Sequence, residues 1–125
     1  MNGDADDLSG LRVLLVEDED LIAMMEEEFL SDLGCTVMGT AARLDEALAM
    51  ARSLEIDAAV LDVNLAGTMS YPVAEVLQAR GVPFIFATGY GIAGLPESLR
   101  NAPVLSKPFR TDQLGAALRL ARGSS

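Results

Sequence analysis

The chain has 125 residues, half of them hydrophobic, and 19 acidic side chains against 9 basic ones, for a formal net charge of −10. This length suits one domain, and the negative charge disfavours broad contacts with nucleic acid phosphates or anionic lipid. The apolar runs are too short to span a bilayer, the N-terminus lacks a signal-peptide pattern, and Cys35 is the only cysteine. We therefore expect a cytoplasmic protein whose partners are proteins or small ions, with no role for nucleic acid or membrane.

Short apolar runs alternate with segments of helical period along the chain. Residues 1–10 are polar and acidic, so we expect a flexible acidic tail that adds nothing to the core, followed by one domain over residues 11–122. The predicted elements are strands 11–16, 35–39, 57–62, 82–87 and 103–105, and helices 20–33, 43–54, 72–80, 94–100 (weak) and 111–121. Five βα units with continuous apolar strands predict a doubly wound α/β fold, with a five-stranded parallel sheet covered on both faces.

Polar residues that could carry chemistry follow four of the five predicted strands. They are Glu17-Asp18-Glu19-Asp20 after the first strand, Asp62 after the third, Thr88 after the fourth and Ser106-Lys107-Pro108 after the fifth. The carboxyl ends of parallel strands lie side by side at one edge of a sheet, so we expect these groups to converge on one site. Glu17, Asp18 and Asp62 at about 5 Å separation would repel by roughly 3 kcal/mol per pair at an effective dielectric of 20. A bound cation would relieve this repulsion.

The expected cation is Mg²⁺. The chain has no histidine and one cysteine, which disfavours soft metals, whereas carboxylates, water and a backbone carbonyl suit Mg²⁺. Lys107 is the only lysine, which favours a compact ammonium charge at that position. Taken alone, Asp62 fits a helix cap, Thr88 an ordinary strand end and Lys107 a surface charge. Their occurrence together at these strand ends favours a functional site.

The same residues resemble the receiver domain of bacterial two-component response regulators, over residues 11–121. The matching pieces are Val13-Leu14-Leu15-Val16-Glu17-Asp18-Glu19, Leu61-Asp62-Val63, Thr88 and Lys107-Pro108-Phe109. Residues 83–91 are similar to a Phe-Ala-Thr-Gly-Tyr subgroup of stand-alone receivers common in alphaproteobacteria. The resemblance implies a flavodoxin-like (CheY-like) fold with strand order 2-1-3-4-5.

The resemblance also implies a phosphoacceptor signalling domain rather than a conventional enzyme. Asp62 would accept a phosphoryl group from a histidine kinase, and Thr88 and Lys107 would each contact one phosphoryl oxygen. The peptide bond between Lys107 and Pro108 is expected to be cis. A histidine phosphotransfer protein or another downstream protein is a further expected partner, and we expect a monomer or a weak dimer that depends on phosphorylation.

Magnesium ligands are implied in the same way. Asp18, Asp62 and the main-chain carbonyl of Asn64 would bind Mg²⁺ directly, and Glu17 would bind it through a water molecule.

Two positions depart from the common receiver pattern. Val104 stands where most receivers have Tyr or Phe, so the usual aromatic switch is absent, and Tyr90 is expected to replace it unless it only packs a loop. Ala66 stands where many receivers have Pro. The glycines and Pro96 in residues 89–100 weaken any helix, which predicts a mobile segment that orders on phosphorylation.

Two other functions compete with this interpretation. A pseudo-receiver with a vestigial acidic site would act as a constitutive docking module, which the intact Asp62, Thr88 and Lys107 disfavour. A Mg²⁺-dependent phosphohydrolase of the haloacid dehalogenase type would carry Asp-x-Asp after its first strand, whereas this chain has Asp62-Val63-Asn64 after its third.

Overall fold

A computed structural model describes residues 8–89 and 95–123, and in them five parallel strands form one sheet. The strands are β1 Arg12–Val16, β2 Thr36–Ala41, β3 Ala58–Asp62, β4 Phe84–Thr88 and β5 Val104–Ser106. Their order across the sheet is β2-β1-β3-β4-β5, with parallel pairing throughout. The predicted fold class and the strand order 2-1-3-4-5 are confirmed.

Four α-helices are present in the described residues: α1 Asp20–Asp32, α2 Leu44–Ser53, α3 Tyr71–Arg80 and α4 Thr111–Gly123. Helices α1 and α4 cover one face of the sheet, and α2 and α3 cover the other, so the side chains of the sheet are divided between two separate cores. On β1, for example, Val13 and Leu15 join the first core while Leu14 and Val16 join the second. No helix in the described part of the chain is both long enough and apolar enough to cross a membrane.

A short antiparallel hairpin follows β3 and pairs Asn64–Leu65 with Thr68–Met69. Its two turn residues both have positive φ, +53° at Ala66 and +96° at Gly67, which is the backbone of a type I′ turn. Proline has φ fixed near −65° and could not adopt the Ala66 conformation. The replacement of the common proline by alanine therefore matches the backbone observed here.

The weak helix predicted over residues 94–100 is wrong for its described part. Residues 95 and 96 have no helical structure, and Glu97–Leu99 form a single 3₁₀ turn. Residue 94 lies outside the described residues. Pro96 begins the turn and Pro103 precedes β5, which leaves too few residues between them for an α-helix.

The prediction that residues 1–10 add nothing to the core is wrong at Leu8. Its side chain is fully buried in the core beneath α1 and α4. The Gly10 N–H also donates a 2.7 Å hydrogen bond to the carbonyl of Gly34, which ties this segment to the end of α1. The prediction of a flexible tail over residues 1–7 lies outside the described residues.

Candidate functional site

The acids at the ends of β1 and β3 lie next to each other because these strands are neighbours, with Val16 paired to Leu61. One carboxylate oxygen from each of Glu17, Asp18 and Asp62 lies within 4.8 Å of the other two. The structure therefore brings together the three acids that the sequence predicts to converge.

The acids differ in burial. Glu17 is 2% exposed and Asp62 is 7% exposed, whereas Asp18 is half-buried. The Glu19 N–H donates to Glu17 Oε2 at 3.1 Å, and the Asn64 N–H donates to Asp62 Oδ1 at 3.4 Å. Burial, reinforced by the negative charge of Glu17, raises the pKa of the Asp62 carboxyl well above its ordinary value, although Lys107 opposes this.

Lys107 reaches into the acidic cluster from the end of β5. Its Nζ lies 2.6 Å from Glu17 Oε1 and 3.4 Å from Asp62 Oδ2, and its side chain is only 16% exposed. Burial alone would lower the pKa of this ammonium group, but Glu17 and Asp62 raise it above its ordinary value. The Lys107–Pro108 peptide bond is cis, as predicted.

Thr88 is the last residue of β4 and lies between the ends of β3 and β5. It is 3% exposed, and its carbonyl accepts a 2.9 Å hydrogen bond from the Lys107 N–H. The backbone thus joins the strand end that carries Thr88 to the one that carries Lys107. Tyr90, the predicted switch, lies outside the described residues.

Glu26 is the buried charged residue that the sequence analysis missed. It is 2% exposed on α1, where Ala23 and Leu30 are buried beside it. Burial, followed by the negative charge of Glu17, raises the pKa of its carboxyl to about 8. Ile22 and Phe29 place Glu26 on the apolar stripe, at spacings of four and three residues, and this spacing is the signal that could have identified it.

The residues present suit a hard divalent cation. Three carboxylates lie close enough to share one ion, the chain has no histidine, and its single cysteine is buried in the core away from these acids. Oxygen ligands of this kind favour Mg²⁺ over soft metals. A buried carboxylate beside an ammonium group also has the composition of a nucleophile for phosphoryl transfer.

One family model and several known proteins match this chain. Residues 13–119 match the family model of the response regulator receiver domain. The transcriptional regulatory protein PdtaR of Mycobacterium tuberculosis is 32% identical over 122 residues, which cover 94% of this chain and 60% of that protein. The chain thus spans less than two thirds of the length of that relative.

Solved structures are similar over nearly the whole chain. SdrG from Sphingomonas melonis Fr1 is 48% identical with a TM-score of 0.80, and the match covers 90% of this chain and 96% of the SdrG chain. The receiver domain of the sensor histidine kinase PA1611 from Pseudomonas aeruginosa PAO1 is 28% identical with a TM-score of 0.77, covering 93% of this chain and 100% of that one. That structure is described with a magnesium ion coordinated in its active site cleft.

Proposed function

Because this chain belongs to the response regulator receiver family, we propose that it accepts a phosphoryl group from a histidine kinase on Asp62, with Mg²⁺ held by the acidic cluster. Receiver domains are phosphoacceptor signalling domains, and no catalytic family is indicated by the family match. The observation that carries the proposal is the position of Lys107 Nζ, which lies between Glu17 Oε1 at 2.6 Å and Asp62 Oδ2 at 3.4 Å.

The transfer step places each side chain in a defined role. An Asp62 carboxylate oxygen attacks phosphorus, and the new P–O bond forms as the P–N bond to the donor imidazole breaks. The bonding electron pair stays on the imidazole nitrogen. Negative charge spreads over the three equatorial phosphoryl oxygens, which Lys107 and Thr88 stabilise from the ends of β5 and β4. The protein mainly positions and neutralises the reacting groups.

Asp18, Asp62 and the Asn64 main-chain carbonyl are the proposed direct ligands of Mg²⁺, and Glu17 is the proposed ligand through water. A bound Mg²⁺ would balance the charge of the acids and of the phosphoryl oxygens. The acidic cluster and the magnesium described in the PA1611 receiver structure support this assignment.

Several features of the proposed function concern residues and partners beyond the site. Tyr90 is proposed as the residue that transmits phosphorylation, and a Tyr90→Ala variant that signals normally would refute it. The receiver is proposed to act through protein contacts in the cytoplasm, with a histidine phosphotransfer protein or another protein downstream. A monomer, or a weak dimer formed on phosphorylation, fits this role.

Incubation with acetyl phosphate and Mg²⁺, followed by intact mass measurement and a free phosphate assay, tests the class of function. A receiver gains one phosphoryl group per chain, and the gain disappears when EDTA removes Mg²⁺. A vestigial site gives no adduct. A phosphohydrolase releases phosphate steadily without a stable adduct, and either of these last two results would overturn the proposal.

A further inference from the structure

Glu26 has a place in the structure that phosphoryl transfer alone does not explain. Its side chain is buried, and no described residue donates a hydrogen bond to its carboxyl group. It lines a cavity of about 240 Å³ between α1 and the segment after β5, together with Ile22, Met25, Lys107, Pro108 and Phe109. Burial of a carboxyl group away from hydrogen-bond donors is unfavourable, so an acid at this apolar position is expected to gain a compensating contact.

The charged groups around Glu26 come from three strand ends. Glu17 follows β1, Asp62 ends β3 and Lys107 follows β5, and the charges of all three act on the Glu26 carboxyl. Lys107 is the cation of this set, and it shares the cavity wall with Glu26. In the structure, its ammonium group forms ion pairs with the carboxylates of Glu17 and Asp62.

The partners of Lys107 must change when a divalent cation engages the same acids. Carboxylate oxygens of Glu17 and Asp62 that face such a cation hold an ammonium group less strongly, and the two positive charges repel each other. Glu26, on α1, lines the same cavity as Lys107. A carboxyl oxygen accepts a hydrogen bond from an ammonium group whether or not the acid is ionised.

We propose that Glu26 is a positioning residue for Lys107, which holds the ammonium group on the α1 side of the site when a divalent cation engages Glu17 and Asp62. This inference rests on the proposed function, since it requires the acidic cluster to bind Mg²⁺ and Lys107 to meet the phosphoryl group. Glu26 would keep Lys107 inside the site between metal binding and phosphorylation.

The single lysine makes a direct test available. Protein labelled with ¹⁵N-lysine gives one side-chain ammonium signal, from Lys107, and its rate of hydrogen exchange with water reports whether the ammonium is hydrogen-bonded. The variants are Glu26→Met and Glu26→Ala, which both remove the acceptor and differ in bulk. Glu28→Met, at an exposed position of the same helix, is the matched control.

Without divalent ions, we expect similar exchange rates in all four proteins, because Glu17 and Asp62 hold Lys107. With saturating Mg²⁺, exchange in both Glu26 variants should be about tenfold faster than in the wild type and the control, the size of one lost charged hydrogen bond. Equal exchange in the wild type and either folded Glu26 variant under saturating Mg²⁺ would overturn the inference. If Mg²⁺ does not shift the backbone amides of Asp18 and Asp62 in the wild type, the magnesium site itself fails, and the inference fails with it at that earlier step.

Discussion

Lys107 lies between two carboxylates in a space that suits a compact ammonium group. Its Nζ contacts Glu17 and Asp62, and its side chain is largely buried between them. The planar guanidinium group of arginine is larger and donates in a fixed fork, so it does not reproduce a point charge at this depth.

The Lys107→Arg variant should not support signalling, although it preserves the positive charge. We expect the variant to fold, and to lose most of the chemical-shift response of β4 and β5 to beryllofluoride with Mg²⁺, because the guanidinium cannot replace the ammonium in the site. Two-dimensional NMR measures this response. Arg110→Lys, on the exposed ion pair with Asp112, is the control and should respond like the wild type. A full response in Lys107→Arg would refute the point-charge role.

The stability of the metal-free protein should fall as pH rises from about 5 to about 8.5. The Glu26 carboxyl has a pKa of about 8 in the folded protein and an ordinary value of 4.5, and the pKa of Asp62 is also raised. The folded state therefore binds more protons than the unfolded state over this range, so stability is greatest below the ordinary pKa values and is lost towards the raised ones. Each such group contributes at most about 1.4 kcal/mol per pH unit.

Melting temperatures measured in EDTA across this pH range test whether stability falls as pH rises. Glu26→Gln, which does not titrate, should flatten the curve relative to the wild type. Glu28→Gln, at an exposed position of the same helix, should leave it unchanged. A wild-type melting temperature that stays level or rises between pH 5 and pH 8.5 would contradict the raised pKa values.

At the scale of the elements, hydrophobic period predicts most of the fold. The five strands and the four α-helices appear within one or two residues of their expected limits. Helices α2 and α4 each have an apolar face with buried residues. Helix α1 differs, since Met25 is exposed and Glu26 is buried. Helical spacing predicts Met25 on the same apolar face as Ile22 and Phe29, whereas the rotation of the helix against the sheet decides which side chain faces inward.

The burial of Leu8, in the segment before β1, also depends on tertiary packing that the sequence pattern does not show. Leu8 is one apolar residue in an acidic stretch, and no period can be read from a single residue. Its burial depends on the gap between α1 and α4, which only the tertiary structure defines.

Leu8→Ala should destabilise the protein by about 2–4 kcal/mol, because it removes a fully buried side chain and leaves a cavity. Urea unfolding followed by circular dichroism measures the change. Leu21→Ala, at a side chain that is 80% exposed, is the matched control and should change stability by less than about 0.5 kcal/mol. A loss below about 1 kcal/mol in Leu8→Ala would show that residues before β1 lie outside the folded core.

For the whole molecule, topology explains why the site could be predicted in large part. Parallel strands in this order bring their carboxyl ends to one edge, so Glu17, Asp18, Asp62 and Lys107 converge although they are distant in sequence. The choice of Glu17 as the nearest partner of Lys107 depends on side-chain packing and not on strand order. A molecule with a net charge of −10 that concentrates acids at one edge should also be stabilised by cations there.

Mg²⁺ should raise the melting temperature of the wild type more than that of Asp18→Asn. Binding to the folded state alone stabilises it, and the same binding relieves repulsion among the three acids. Thermal unfolding with and without Mg²⁺ measures both shifts. Asp20→Asn, at an exposed position on the first turn of α1, should retain the wild-type shift. Equal shifts in the wild type and Asp18→Asn would count against a metal site at these strand ends.

The most direct test locates the phosphoryl group itself. Wild type, Asp62→Asn and Asp32→Asn are incubated with acetyl phosphate and Mg²⁺, and intact mass and peptide mapping follow; Asp32 is an exposed aspartate at the end of α1. We predict one phosphoryl group on the wild type and on Asp32→Asn, within the peptide that contains Asp62, and none on Asp62→Asn. A phosphoryl group on Asp62→Asn at the wild-type level would contradict the assignment of Asp62 as the acceptor.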